Sequence, residues 1–156
     1  FHQVSGAGAI ALTGSGTFVI EAGLTFDNGA EFSVTSGRIR FDAGGSDFGT
    51  YSSFDGGSIE FGPPAPVTRV LTGSPALDGD GLMRKSGGGT IRITGTDNHT
   101  GPVEVLAGRL DYSTGTPKEF VILTVTSPGI LGGADNFTIT GNLFWNGGQI
   151  DTTNVG

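Results

Sequence analysis

Runs of three to five strand-forming residues recur along this chain, each announced by a glycine and each ended before a hairpin or helix has room to form. Ile39-Arg40-Phe41 follows Gly37, Ile59-Glu60-Phe61 follows Gly57, Ile91-Arg92-Ile93 follows Gly89 and Leu110-Asp111-Tyr112 follows Gly108. Apolar and polar residues alternate within each run, the period of a strand with one buried face. The starts themselves repeat. Ile39 to Ile59 is 20 residues, Ile91 to Leu110 is 19, Leu110 to Ile130 is 20 and Ile130 to Ile150 is 20. The step from Ile59 to Ile91 is 32 and contains a Pro-rich insertion, Gly62 to Arg69; the step from Leu24 to Ile39 is only 15, so the first coils read as irregular.

A period near 20 without helices points to a β-solenoid. Each coil runs through short strands separated by corners, and successive coils stack in parallel about 4.8 Å apart. Glycine and asparagine supply the corners. The expected fold is a single all-β segment over residues 1–156, a parallel β-helix (β-solenoid) with about 20 residues per coil and roughly seven coils. An antiparallel sandwich or jelly roll, whose turn signals recur every 8–12 residues, is the alternative.

Composition narrows the class. Gly occurs 30 times in 156 residues without a Gly-X-Y period, which excludes collagen; 15% charged residues and 11 Phe argue against disorder. The net charge of −7 disfavours nucleic acid, whose binding depends on Lys and Arg, and equally an anionic membrane surface. The acidity reads as a solubilising surface charge. No apolar run reaches 18 residues, so no membrane insertion is expected. Cysteine is absent, leaving the core and backbone ladders to hold the fold, which is compatible with export. The chain opens on Phe1 with no basic-then-apolar leader, and reads as a processed or excised part of a longer protein.

The segment Gly81–Leu110 carries a more specific pattern: Gly81-Leu82, Lys85, Gly87, Gly89-Thr90-Ile91, Ile93, Gly95, Asn98, Thr100-Gly101, Val103, Val105 and Gly108-Arg109-Leu110. It resembles the passenger-associated transport repeat of bacterial autotransporters, departing from it at Pro102-Val103-Glu104. Phe137–Ile150 resembles, less closely, repeats of large secreted bacterial proteins. The resemblance implies a right-handed parallel β-helix, exported to the cell surface or medium. It implies a scaffold and not a chemistry.

Catalytic candidates are few. Because parallel β-helices include polysaccharide lyases and hydrolases, Asp42, Asp47, Asp55 and Glu60 are a candidate carboxylate cluster, with solvated surface acids as the plainer reading. The only imidazoles, His2 and His99, lie far apart, and with no Cys a zinc site is not expected. Leu77–Leu82 and Gly132–Phe137 place carboxylates in glycine turns but lack the regular recurrence of a calcium repeat, so they read as turns, with weak Ca²⁺ binding as the sharper alternative. Gly87–Thr90 lacks the lysine and following helix of a phosphate loop. Asn98-His99-Thr100 and Asn136-Phe137-Thr138 are glycosylation sequons that stay bare in a bacterial chain. One of Phe144 and Trp145 must face outward, either available to stack on a sugar or packed under a loop.

No catalytic, cofactor or metal residue is therefore assigned. The leading expectation is a non-enzymatic extracellular structural or adhesive β-solenoid of a bacterial surface or secreted protein. Its partners are like subunits meeting at the solenoid ends, or neighbouring coils of a longer chain, with surface glycans as further candidates. The alternatives are a self-assembling filament or sheath subunit, suggested by the few charges in Gly6–Leu12 and Thr152–Gly156, and a β-helix polysaccharide-active enzyme. The insertion at 62–69 is the expected place for a function peculiar to this chain.

Overall fold

A computed structural model describes residues 9–23 and 29–151. These form two parallel sheets, with no helix among the described residues. The larger sheet runs in the order β1 (Ala9–Leu12), β3 (Glu31–Phe41), β5 (Tyr51–Phe61), β8 (Leu82–Lys85), β10 (Val103–Val105), β12 (Lys118–Thr126) and β14 (Phe137–Asn146). On the same sheet β2 (Thr17–Ile20) pairs with β3 and β7 (Leu77–Gly79) with β5. The second sheet holds β4 (Gly45–Asp47), β6 (Thr68–Leu71), β9 (Thr90–Ile93), β11 (Arg109–Tyr112), β13 (Ile130–Gly133) and β15 (Gln149–Ile150) in spatial sequence. The chain alternates between the sheets as it winds. The result is a β-solenoid of about seven turns with about 20 residues per turn.

Register explains the uneven spacing of the glycine-marked starts. On the larger sheet Ile39 pairs with Ile59, Ile59 with Met83, Met83 with Val103, and Val103 with Leu123. On the second sheet Ile91 pairs with Leu110, Leu110 with Leu131, and Leu131 with Ile150. Ile59 and Ile91 thus belong to different sheets, and the 32-residue step between them is one coil plus a change of face. The coil holding the Pro-rich stretch runs from Ile59 to Met83, 24 residues, against 20 for each of its neighbours. Leu131, not Ile130, continues the inward column. The departure at Pro102-Val103-Glu104 leaves an ordinary strand, with Val103 and Val105 buried between β8 and β12. The expected strand at Leu24-Thr25-Phe26, His2, residues 6–8 of the first terminal segment and all of Thr152–Gly156 lie outside the described residues.

Inward side chains stack coil upon coil. Ile39, Ile59, Met83, Val103 and Leu123 form one fully buried column, and Ile20, Phe41 and Phe61 stack in another. Two aromatic groups thicken this narrow core. Tyr51 lies edge-on to Phe41 and Phe61 at centroid distances of 4.8 and 5.2 Å, and Tyr112 lies edge-on to Phe120 at 5.7 Å. Such contacts stabilise beyond their buried area.

Stacking also accounts for the glycines. A Cβ on Gly49 would fall on the carbonyl oxygen of Ala30, one on Gly73 on that of Gly49, and one on Gly95 on that of Gly73. This corner column repeats once per coil because the coils approach to strand spacing and leave no room for a methyl group. Gly95→Ala is accordingly expected to destabilise the protein by about 2–3 kcal/mol, the cost of overpacking a rigid contact. Gly14→Ala, where a Cβ would meet nothing within 4 Å, should stay within about 0.5 kcal/mol of the parent. Urea unfolding of the two variants side by side measures the difference.

Candidate functional site

Of the four acids of the expected catalytic cluster, Asp42 and Glu60 are bridged by Arg40, whereas Asp47 lies in the core and Asp55 on the exposed surface. Asp55 is exposed at a bend within β5, with φ of 53°. Asp42 follows β3 and accepts a 2.8 Å hydrogen bond from Arg40 Nε. Asp47 and Glu60 are buried, contrary to the expectation of solvated surface acids. The reason is local: Asp47 is the inward residue ending β4, and Glu60 lies beneath a layer of arginines.

Asp47 and Arg69 form an ion pair inside the core. Their register partners are Leu71 and Ile91, so two charged groups occupy columns that hold hydrophobic side chains in later coils. Arg69 Nε lies 2.6 Å from Asp47 Oδ2, and Nη2 donates to Asp47 Oδ1 at 2.7 Å and to the Tyr51 hydroxyl at 3.0 Å. Nη1 donates to the Ala43 and Gly44 carbonyls, and the guanidinium lies 5.1 Å from the Phe41 ring centroid. Burial opposes the charge on Arg69, but Tyr51 and Asp47 outweigh it and raise its pKa; burial pushes the Tyr51 phenol well above its usual range. All three groups are locked.

Glu60 accepts hydrogen bonds from Arg38 Nη1 at 3.0 Å and from Ser86 Oγ at 2.6 Å, with Arg40 Nη1 at 3.6 Å and Arg84 Nη1 at 3.8 Å. Arg84 Nε in turn donates to Glu104 at 2.7 Å. The outward column Arg40–Glu60–Arg84–Glu104 alternates in sign across four coils. Glu60 is bracketed by arginines from the coils on either side and Glu104 pairs with Arg84 of the preceding coil, the cross-strand arrangement that favours correct register.

A third cluster borders an open cavity of about 340 Å³ lined by Asp97, His99, Thr100, Pro117, Lys118 and Glu119. Lys118 Nζ lies 2.8 Å from Asp97 Oδ2, donates to the His99 carbonyl at 2.6 Å, and sits 5.8 Å from the Tyr112 ring centroid. His99 is buried, and its Nε2 lies 2.8 Å from the Gly81 carbonyl. A carbonyl only accepts, so Nε2 carries the proton. Burial lowers the His99 pKa, so the ring is neutral at physiological pH. Its Nδ1 is buried with no partner, and Nε2 is tied to backbone, so neither nitrogen is hydrogen-bonded to a hydroxyl it might activate. The cluster links Gly81, the 97–99 corner and Lys118 on three successive coils.

The glycine turns weighed for calcium are also committed. Asp135 accepts from Thr114 N at 2.7 Å, Thr114 Oγ1 at 2.8 Å and Gly115 N at 2.9 Å, three donors where a cation would need lone pairs. Asp80 Oδ1 accepts from Asp55 N at 3.3 Å. No group of three or more His, Cys, Asp or Glu suited to a metal lies among the described residues.

Of the two adjacent aromatics, Phe144 takes the outward position and Trp145 the inward one, since Thr124 pairs with Phe144 and Val125 with Trp145. Trp145 is nevertheless 59% exposed because its strand is the outermost of the sheet, and its indole N–H donates to the Gly148 carbonyl at 2.6 Å. It does not pack under a loop. The Pro-rich stretch forms an exposed corner at Pro64–Pro66, stitched to the next coil through the Pro63 and Val67 carbonyls; its final residues, Thr68 and Arg69, already belong to β6. Sequence reading missed the buried charges, although the alternation Thr68-Arg69-Val70-Leu71 puts Arg69 on the same face as Leu71 and so signals its inward position. No family model, no curated protein and no solved structure matches the chain.

Proposed function

We propose that this chain is a non-enzymatic structural or adhesive β-solenoid belonging to a bacterial surface or secreted protein. The observation that carries this reading is that its buried acids are spent on joining coils. Asp47 binds Arg69 of the following coil, Glu60 binds arginines on both sides, Asp97 binds Lys118, and Asp135 binds the Thr114–Gly115 turn. A glycosidase needs one carboxylic acid free to give a proton and a second free to attack or activate water, across a space that admits a sugar. A scaffold needs what is found here, charges that pin one coil to the next. The extracellular assignment draws on the resemblance over Gly81–Leu110, with which the absence of cysteine is compatible.

Incubation with pectin, alginate and hyaluronan tests the reading, with no product expected above a heat-killed control. Product formation that disappears in Asp42→Asn or Glu60→Gln would overturn it in favour of a β-helix polysaccharide enzyme. The adhesive part of the proposal falls on the exposed Pro64–Pro66 corner. Replacing that corner with a Gly-Ser linker should abolish binding to a surface glycan while leaving the solenoid folded.

A further inference from the structure

We propose that the corner at residues 97–100 is an acid-operated latch, which protonation of His99 releases from the coil before it and from Lys118 on the coil after it. The inference goes beyond the scaffold reading and stands independently of it. Its basis is that one residue ties three coils together. His99 Nε2 donates to the Gly81 carbonyl at 2.8 Å, the His99 carbonyl accepts from Lys118 Nζ at 2.6 Å, and the His99 amide donates to Asp97 Oδ1 at 2.9 Å. Asp97 Oδ2 in turn lies 2.8 Å from Lys118 Nζ. The residue is 4% exposed, and its Nδ1 is buried with no partner.

A neutral ring suits this setting and a charged one does not. A proton on Nδ1 adds a buried N–H with no acceptor, a cost that is relieved only if the ring moves. It also sets a second cation near the Lys118 ammonium. The charged groups around the ring are Asp97 on its own corner, Asp78 on the preceding coil and Lys118 on the following one, with Glu119 lining the adjoining cavity. Asp80, next to Gly81, is exposed and accepts from the Asp55 amide, and the Tyr112 phenol, its pKa raised by burial, stays uncharged. Asp97 and Asp78 favour a charged ring, but Asp97 already serves the His99 amide through Oδ1 and Lys118 through Oδ2. Burial prevails with help from Lys118, and the His99 pKa lies below its ordinary 6.5. The open cavity of about 340 Å³ that His99 borders gives the corner room to swing out. Once in water the ring binds its proton at the ordinary value. The open state therefore holds more protons than the closed one below pH 6.5, and acid favours opening. Opening breaks the Gly81 contact and withdraws the carbonyl that holds Lys118, whose Nζ lies 5.7 Å from the Phe120 ring centroid.

Amide hydrogen exchange of the whole chain at pH 7.5 and pH 5.5, corrected for the intrinsic pH dependence of exchange, tests this. The reporters are the Asn98 and Thr100 amides, which donate to the Leu77 and Gly79 carbonyls of the preceding coil. In the parent their protection should fall by about tenfold at pH 5.5, since each pH unit below 6.5 is worth tenfold in the opening equilibrium while the closed ring stays neutral. Amides of the Ile59 and Met83 strands should keep theirs, which marks the opening as local. His99→Gln offers a neutral side-chain N–H to Gly81 and retains Asp97, Asp78, Glu119 and Lys118, so any titration of those groups is shared and only the imidazole effect is removed. Its reporters should change by less than about twofold. An equal pH response in parent and variant, or a loss of protection spread evenly over all strands, would overturn the proposal. The parent alone supplies a second test that needs no variant. An NMR titration of the His99 ring should show protonation only together with loss of the corner's protection, and a ring that protonates near pH 6.5 with the corner still closed would contradict the latch.

Discussion

Asp47→Ala is expected to cost about 3–5 kcal/mol, because it leaves the Arg69 guanidinium buried without its counter-charge. Both side chains of the pair are fully buried, so water cannot take the place of the lost carboxylate. Arg69→Ala should cost a similar amount by stranding Asp47 and leaving a cavity between Phe41 and Ile91. The double replacement Asp47→Leu with Arg69→Met should behave differently. It restores the hydrophobic columns that later coils already use, and stability should return to the parent value or exceed it by about 1–4 kcal/mol. Chemical denaturation of the two single variants and the double gives the coupling directly. Single and double variants of equal stability would show that the pair is not held as described.

Lys85 should make stability rise with pH in the alkaline range. It occupies the position that Phe61 holds in the preceding coil and Val105 in the next, and its Nζ donates to the carbonyls of Ser86, Gly87 and Ala107 at 2.6, 2.8 and 3.0 Å. Burial lowers its pKa from 10.5 to about 8. The folded state therefore releases this proton near pH 8 while the unfolded chain keeps it to about 10.5. Between those values the unfolded state binds more protons, and stability increases with pH. Below pH 8 both states are protonated and the folded state carries the cost of the buried ammonium. The gain from pH 7 to pH 10.5 is at most about 3 kcal/mol, and solvent screening reduces it. Lys85→Met should lack this rise. Its unfolding curves at pH 7 and pH 10, subtracted from those of the parent, isolate the effect because all other titrating groups are shared. Parallel pH profiles would contradict the assignment.

The fold was largely legible because its dominant constraint is local and repeated. Most coils are close to 20 residues long, corners such as Gly49, Gly73 and Gly95 need glycine where the next backbone passes, and the strands alternate, so 20-residue spacing and period two carry most of the architecture. What the spacing did not distinguish was which sheet each start belonged to. Glycine precedes strands on both faces, so Ile59 and Ile91 looked like members of one series and the insertion looked longer than it is. The charged core was hidden for another reason. Asp47 follows a Gly-Ser pair in a three-residue strand too short to display its alternation, and only its register with Leu71 reveals that it points inward. Glu60 alternates correctly as an outward residue but is covered by Arg38, Arg40 and Arg84, two of them on other coils of its own column. His99 is buried through a contact with Gly81 on the preceding coil. Such contacts depend on which coil lies beside which, and single-chain patterning does not encode that.

The claim beneath all of these predictions is that successive coils advance by one strand spacing along a single axis. Spin labels on Cys substitutions, each pairing Val19 with Glu104, Thr124 or Phe144, measure this directly by pulsed dipolar spectroscopy in samples diluted with unlabelled protein. These partners lie four, five and six coils from Val19 in one outward column. The stacked coil predicts mean distances of roughly 19, 24 and 29 Å, rising by one strand spacing per step. Three distances that fail to rise in even steps with coil number would contradict the solenoid and the account built on it.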